Sequence, residues 1–175
     1  MTSPQEKNNS LETSEFQENL EILRQTYFFS GVPIEKLKIF AYICKRETFE
    51  EDEYLFRQDE NDGRAFYILK GKANLYYDGD DGEEFVRDFK EGEFLAGSSL
   101  LSDAQRLFSL KASSEMGCLI MSRDKFNSAI KQFPDIMPII ARSLVDRINS
   151  WEGRFIDERT EGCQICRHKL GVSVV

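Results

Sequence analysis

Arg106 and the serines ahead of it are the residues whose types and spacing carry chemistry. The stretch Gly92-Glu93-Phe94-Leu95-Ala96-Gly97-Ser98-Ser99-Leu100-Leu101-Ser102 leads, a few residues on, into Arg106-Leu107-Phe108-Ser109-Leu110. Glu93-Phe94-Leu95 reads as a strand end, and Ala96-Gly97 lets the backbone turn with little steric hindrance. The pattern predicts a helical turn through Leu100, Leu101 and Ser102, capped by Ser98 or Ser99, and then a strand beginning at Arg106. A helix start offers free N–H groups and a positive dipole end. With a guanidinium close by, that is chemistry for a phosphate or another anion. Strand alternation would put Arg106, Phe108 and Leu110 on one face.

The elements that must position these residues follow from periodicity. Phe16, Leu20, Leu23 and Tyr27 form one stripe of an amphipathic helix. Phe28-Phe29-Ser30-Gly31-Val32 breaks it, and Pro33 opens a second helix with Ile34, Leu37, Phe40, Ala41 and Cys44 on its inner side. After Lys45 the pattern turns to short strands around Phe49, Tyr54-Leu55-Phe56, Ala65 to Leu69, Ala73 to Tyr77, Phe85 to Phe89, Phe108 to Ala112 and Cys118 to Met121. Many short strands at close spacing predict a sandwich or jelly roll. Asp52, Asp59 and Asp62 stand at turn positions and tolerate the left-handed region. The hairpin tip from Asp78 to Glu84 has a calcium-loop look, but Gly82 and Phe89 fall where an EF-hand needs oxygen ligands, so a solvated turn is expected.

From Ser122 the pattern is helical again. Phe126, Ala129, Ile130 and Phe133 make a short helix, Pro134 restarts the chain, and Ile136, Ile140, Leu144, Ile148, Trp151 and Phe155 recur at fours and threes. A helix with one apolar seam usually needs a partner.

At 175 residues, with 41% hydrophobic and 12% aromatic residues, the composition is that of one globular domain with attached helices. The net charge of −8 repels nucleic acid on average. No apolar run approaches membrane-spanning length and no signal-peptide core is present, so neither DNA nor membrane is an expected partner and a cytoplasmic location is expected. Cys44 and Cys118 lie in apolar patterns and read as buried, reduced thiols. Cys163, Cys166 and His168 have the look of half a zinc site, which two subunits would have to complete; a free tail is the plainer expectation. His168 is the single histidine, and no P-loop, G-x-S-x-G or nucleophile–base pair is present, so catalysis is not expected.

The stretch around Arg106 resembles the phosphate-binding cassette of the cyclic nucleotide-binding domains of catabolite activator proteins, kinase regulatory subunits and nucleotide-gated channels, which reads roughly F-G-E-x-A-L-L, a loop, then R-A-A/T. Leu95-Ala96-Gly97-Ser98-Ser99-Leu100-Leu101 matches its first part and Arg106-Leu107-Phe108-Ser109 its second. Tyr67-Ile68-Leu69-Lys70-Gly71 and the Phe29-Ser30-Gly31-Val32 turn match further family features. The resemblance implies an α+β fold: an eight-stranded antiparallel β jelly roll (double-stranded β-helix), flanked by N-terminal helices and a long C-terminal dimerisation helix. It divides the chain into a disordered start (1–12), the β-roll with its N-terminal helices (13–133), the dimer helix (134–160) and a Cys-containing tail (161–175).

For the site, the resemblance implies backbone contacts from Ser98, Ser99 and Leu100 to a cyclic phosphate, and Arg106 as its counter-charge. Gly97, Leu107 and Phe108 are departures that would face the same ligand. The cassette's glutamate, which in the family accepts the ribose 2′-hydroxyl, is Gly97 here, and Leu107 and Phe108 replace small residues. Trp151 falls near where the dimer helix reaches the base, either to stack on a purine or to pack at the seam. The implied ligand is cAMP or cGMP; no other cofactor is implied. Two functions follow: a free-standing homodimeric sensor that signals through an effector protein, or a ligand-independent dimeric adaptor in which Phe108 or Trp151 fills the pocket. On the first, Arg106→Ala is expected to leave the fold intact and abolish ligand-dependent stabilisation.

Overall fold

In the computed structural model, the backbone is described for residues 4–158 and the side chains for residues 13–150. The eight strands are β1 (Lys45–Phe49), β2 (Tyr54–Phe56), β3 (Arg64–Lys70), β4 (Lys72–Gly79), β5 (Gly82–Lys90), β6 (Phe94–Leu95), β7 (Ser109–Ala112) and β8 (Met116–Ser122). They form two four-stranded antiparallel sheets, ordered β1-β8-β3-β6 and β2-β7-β4-β5. This is the expected antiparallel roll. The helices are α1 (Pro4–Gln25), α2 (Ile34–Ile43), α3 (Arg123–Gln132) and α4 (Ile136–Glu158), with 3₁₀ turns at Tyr27–Phe29 and Gly97–Leu100.

Strand alternation sends Phe66, Ile68, Leu110, Met116 and Cys118 between the sheets, where Phe49, Leu55 and Ala73 join them in one core. A second core lies between the outer face of the β3–β8 region and the helices. Leu23, Phe28, Phe29, Leu37, Phe40, Phe126, Ile136 and Ile140 meet there, with Ala65, Leu119 and Met121 from the strands. The α1 stripe ends sooner than its spacing suggests, because Tyr27 lies in the 3₁₀ turn that follows Gln25. That turn points Phe28 and Phe29 inward, both almost fully buried. The inner side of α2 is Leu37, Phe40 and Ala41, whereas Ile34, expected there, is exposed.

Turn chemistry explains the sharp corners. Asp52 and Asp59 have positive φ (70° and 65°), as a short polar side chain permits. Asp62 does not; the left-handed residue beside it is Gly63, which leaves Asp62 free for another task. The hairpin joining β4 to β5 turns at Asp80-Asp81, with Gly79 paired to Gly82. No helix is long and apolar enough to cross a membrane among the described residues.

Candidate functional site

The cassette begins with a strained residue. Ala96 has φ 60°, a left-handed conformation that β-carbons disfavour, where the resembled motif has glycine. The 3₁₀ turn that follows starts at Gly97 and runs to Leu100. Ser98 and Ser99 therefore sit within the turn; neither caps it, and the residue ahead of it is Ala96, which makes no side-chain cap. Leu100 is fully buried among Phe28, Phe126 and their neighbours, so its side chain anchors the turn to the helical core.

Gly97 is sealed from behind. A β-carbon there would stand 2.8 Å from Phe94 Cε1 and 2.9 Å from Phe28 Cδ2, closer than carbon atoms approach without something shifting. The aromatic pair occupies the space in which a longer side chain at this position would begin. Phe28 and Phe94 are themselves in contact, with ring centroids 5.5 Å apart.

Arg106 does not begin a strand. β7 starts at Ser109, and Arg106 lies in the loop before it. Its backbone is nevertheless fixed: its N–H donates to Glu60 O at 2.8 Å, and its carbonyl accepts from Asp59 N–H at 2.9 Å. The side chain is 6% exposed. Its guanidinium donates through Nε to Asp62 Oδ1 (2.8 Å), through Nη1 to Ser99 Oγ (2.6 Å) and through Nη2 to the Arg64 carbonyl (2.6 Å), and it lies 4.0 Å from the centre of the Phe56 ring. Burial pushes its pKa down and the Asp62 carboxylate opposes that shift. Asp62 Oδ2 accepts from Arg64 Nε at 2.9 Å, so one carboxylate bridges two arginines. Arg106 thus ties three loops together, and removing it cannot leave the fold untouched.

Ser99 is held from both sides. Its hydroxyl accepts from Arg106, and its carbonyl accepts from Arg123 Nε at 2.7 Å. Arg123, the first residue of α3, also donates to Asn61 Oδ1 (2.7 Å) and Asp103 (2.5 Å). Asn61 Nδ2 in turn donates to Asp103 Oδ1 at 2.6 Å, and this hydrogen bond, followed by the Arg123 charge, holds the Asp103 carboxyl below its ordinary pKa.

Beside Arg106 lies a cavity of about 420 Å³, within the usual range for small-molecule sites. Five of the residues singled out from sequence line it: Ser98, Ser99, Arg106, Leu107 and Phe108. Gly97 and Leu100 stand behind the wall rather than on it. The side chain of Trp151 lies outside the described residues, as do Cys163, Cys166 and His168. Phe108 does not fill the cavity; it forms part of its wall, edge-on to Tyr77 at 6.2 Å between centroids. Leu107 is 74% exposed at the wall. The sequence reading missed the apolar side of the cavity, Phe56, Leu75, Phe89 and Leu95, because distant strands supply it. It also missed Asp62, Arg64 and Arg123 as the frame of the site. Among the described residues, no cluster of His, Cys, Asp or Glu could hold a metal ion.

The site is therefore a 3₁₀ cassette and a buried arginine beside a largely apolar cavity in a two-sheet antiparallel roll. The sequence profile of the cyclic nucleotide-binding domain matches residues 46–133, half of the chain, and the chain belongs to that family. It is 24% identical over 117 residues to human cGMP-dependent protein kinase 2, covering 65% of this chain and 15% of the kinase. It is 31% identical over 106 residues to a cAMP-dependent protein kinase regulatory subunit of Emericella nidulans, covering 60% of this chain and 25% of that subunit. The chain therefore spans a quarter or less of these curated relatives. The sensor domain of the transcriptional regulator DNR from Pseudomonas aeruginosa has the same fold: TM-score 0.66 and 17% identity over 85% of this chain and 97% of that one.

Proposed function

We propose that this domain is a regulatory sensor whose cavity takes a cyclic nucleotide, cAMP or cGMP, or a related anion, and that it signals through a partner protein rather than by catalysis. The observation that carries the reading is the cavity beside Arg106, which Phe108 lines instead of filling. Family membership supports a cyclic nucleotide as the ligand class, as do the names of the two kinase relatives. Ser98 and Ser99, on the 3₁₀ turn, and the Arg106 guanidinium would meet the phosphate, and the apolar wall of Leu75, Phe89 and Phe108 would receive the base. The output runs through α4, which would pair with a second copy along the exposed Val145 and Ile148. A reducing, cytoplasmic setting suits the free thiols of Cys44 and Cys118.

One observation favours the alternative, a ligand-independent adaptor. The Arg106 donors are already engaged by Asp62, Ser99 and Arg64, so an anion must share or displace partners that the protein itself supplies. The test is a thermal unfolding scan with cyclic AMP and cyclic GMP at millimolar concentration. Because Arg106→Ala would unpin the fold, the control is Ala104→Trp, which places an indole on the cavity wall from an exposed loop. A ligand at about a hundred times its dissociation constant adds roughly 2.7 kcal/mol, several degrees for a domain of this size. A shift that Ala104→Trp abolishes supports the sensor; no shift for either nucleotide leaves the adaptor.

A further inference from the structure

We propose that the cavity reads its ligand through the anionic group and the apolar body and is indifferent to a sugar 2′-hydroxyl, so that ribo and 2′-deoxyribo cyclic nucleotides bind alike. The inference rests on the nucleotide reading above and deepens it. A hydroxyl is read strongly only by a buried group that accepts its proton, best of all a carboxylate. The residues lining the cavity include no Asp or Glu; Arg106, a donor only, is the single charged side chain among them. The carboxylate that pairs with the arginine, the partly buried Asp62, is not on the wall. Its Oδ1 is taken by Arg106 and its Oδ2 by Arg64.

The wall also has no space for an acceptor at the start of the cassette. Position 97 is backed by the rings of Phe28 and Phe94, so no side chain can grow there without displacing them. The Ser99 hydroxyl oxygen already accepts from Arg106 at 2.6 Å. The remaining polar side chains on the wall, Ser98, Ser102 and Gln105, are exposed. A ligand hydroxyl beside them exchanges water for an equally solvated partner, and the net gain is small. What remains is apolar: Leu75, Phe89, Leu95 and Phe108 select for a flat, hydrophobic body.

The experiment is calorimetric titration of the full chain with cyclic AMP, 2′-deoxy cyclic AMP, cyclic GMP and 2′-deoxy cyclic GMP. A buried carboxylate reading the hydroxyl would separate each pair by on the order of tenfold or more. The expected result is dissociation constants within about threefold of each other for each ribo and deoxy pair, as neutral, solvated contacts allow. A ribo form that binds at least tenfold more tightly overturns the proposal while leaving the nucleotide reading in place. Silence from all four compounds at millimolar concentration overturns the nucleotide reading, and the proposal falls with it.

Discussion

Phe28 joins the cassette to the last helix: its ring closes on Gly97, and its carbonyl accepts a hydrogen bond from the buried Ser143 hydroxyl of α4 at 3.0 Å. The same 3₁₀ turn sets Tyr27 under the Arg147 guanidinium, 4.7 Å from the ring centre. Phe28 thus touches both the cassette, through its ring, and α4, through its backbone carbonyl. Such a link shifts α4 only as far as a ligand binds the two arrangements with different affinity.

Gly97→Ala should destabilise the domain. The added methyl must push apart Phe94 and Phe28, and overpacking of this kind costs about 1–3 kcal/mol. Urea unfolding should show a lower midpoint with an unchanged slope.

Ser143→Ala removes a hydroxyl whose one proton is shared between the Phe28 carbonyl (3.0 Å) and the Ile140 carbonyl of its own helix (2.8 Å). The buried carbonyl loses a donor, so the expected cost is about 1–2 kcal/mol in the same measurement. The variant should also weaken any ligand-driven change at α4, read by hydrogen exchange over residues 136–150.

Arg106→Ala should destabilise by at least about 2 kcal/mol, because it strips a charged partner from Asp62 and hydrogen bonds from Ser99 and the Arg64 carbonyl. A ligand effect measured on this variant alone would confound binding with folding. Asp62→Asn should destabilise as well, since the amide keeps one acceptor oxygen and turns an NH2 donor toward the other guanidinium.

The thiols supply a pH signature. Burial pushes the Cys118 and Cys44 pKa values up to about 12, above that of an unfolded thiol at about 8.5. The native state holds these protons longer, so the stability they contribute is full below about pH 8.5 and is lost as pH rises toward 12. In a Cys44→Ser, Cys163→Ser, Cys166→Ser background, disulfide reagent at pH 8 should label the buried Cys118 slowly in the folded protein and fast in the urea-unfolded protein.

The architecture was legible because hydrophobic period alone separates these elements. Alternation around Phe66, Ile68 and Leu110 points to their place between the sheets, whereas Ile136 and Ile140, read as part of a seam that needs a partner, are covered by the chain's own helical core. The polar wall of the cavity was legible in part, since Ser98, Ser99 and Arg106 are close in sequence and line it together. Its frame was not. Asp62 reads as a turn residue until Gly63 takes the left-handed conformation, and Arg123 reads as a helix start until its side chain reaches back to Ser99. The apolar wall from Phe56, Leu75 and Phe89 depends on strand order, which local pattern does not encode. Tyr27 and Ile34 fit a stripe by spacing, but α1 ends before the first and α2 turns the second outward.

The measurement that tests the central claim most directly is the thermal unfolding scan of the wild-type chain and Ala104→Trp with cyclic AMP and cyclic GMP. The account predicts a rise of several degrees in the wild type with at least one nucleotide and none in the variant, whose own midpoint without nucleotide stays close to that of the wild type. Equal shifts in both proteins would place the ligand elsewhere, and no shift in either would contradict the cavity's role as a nucleotide site.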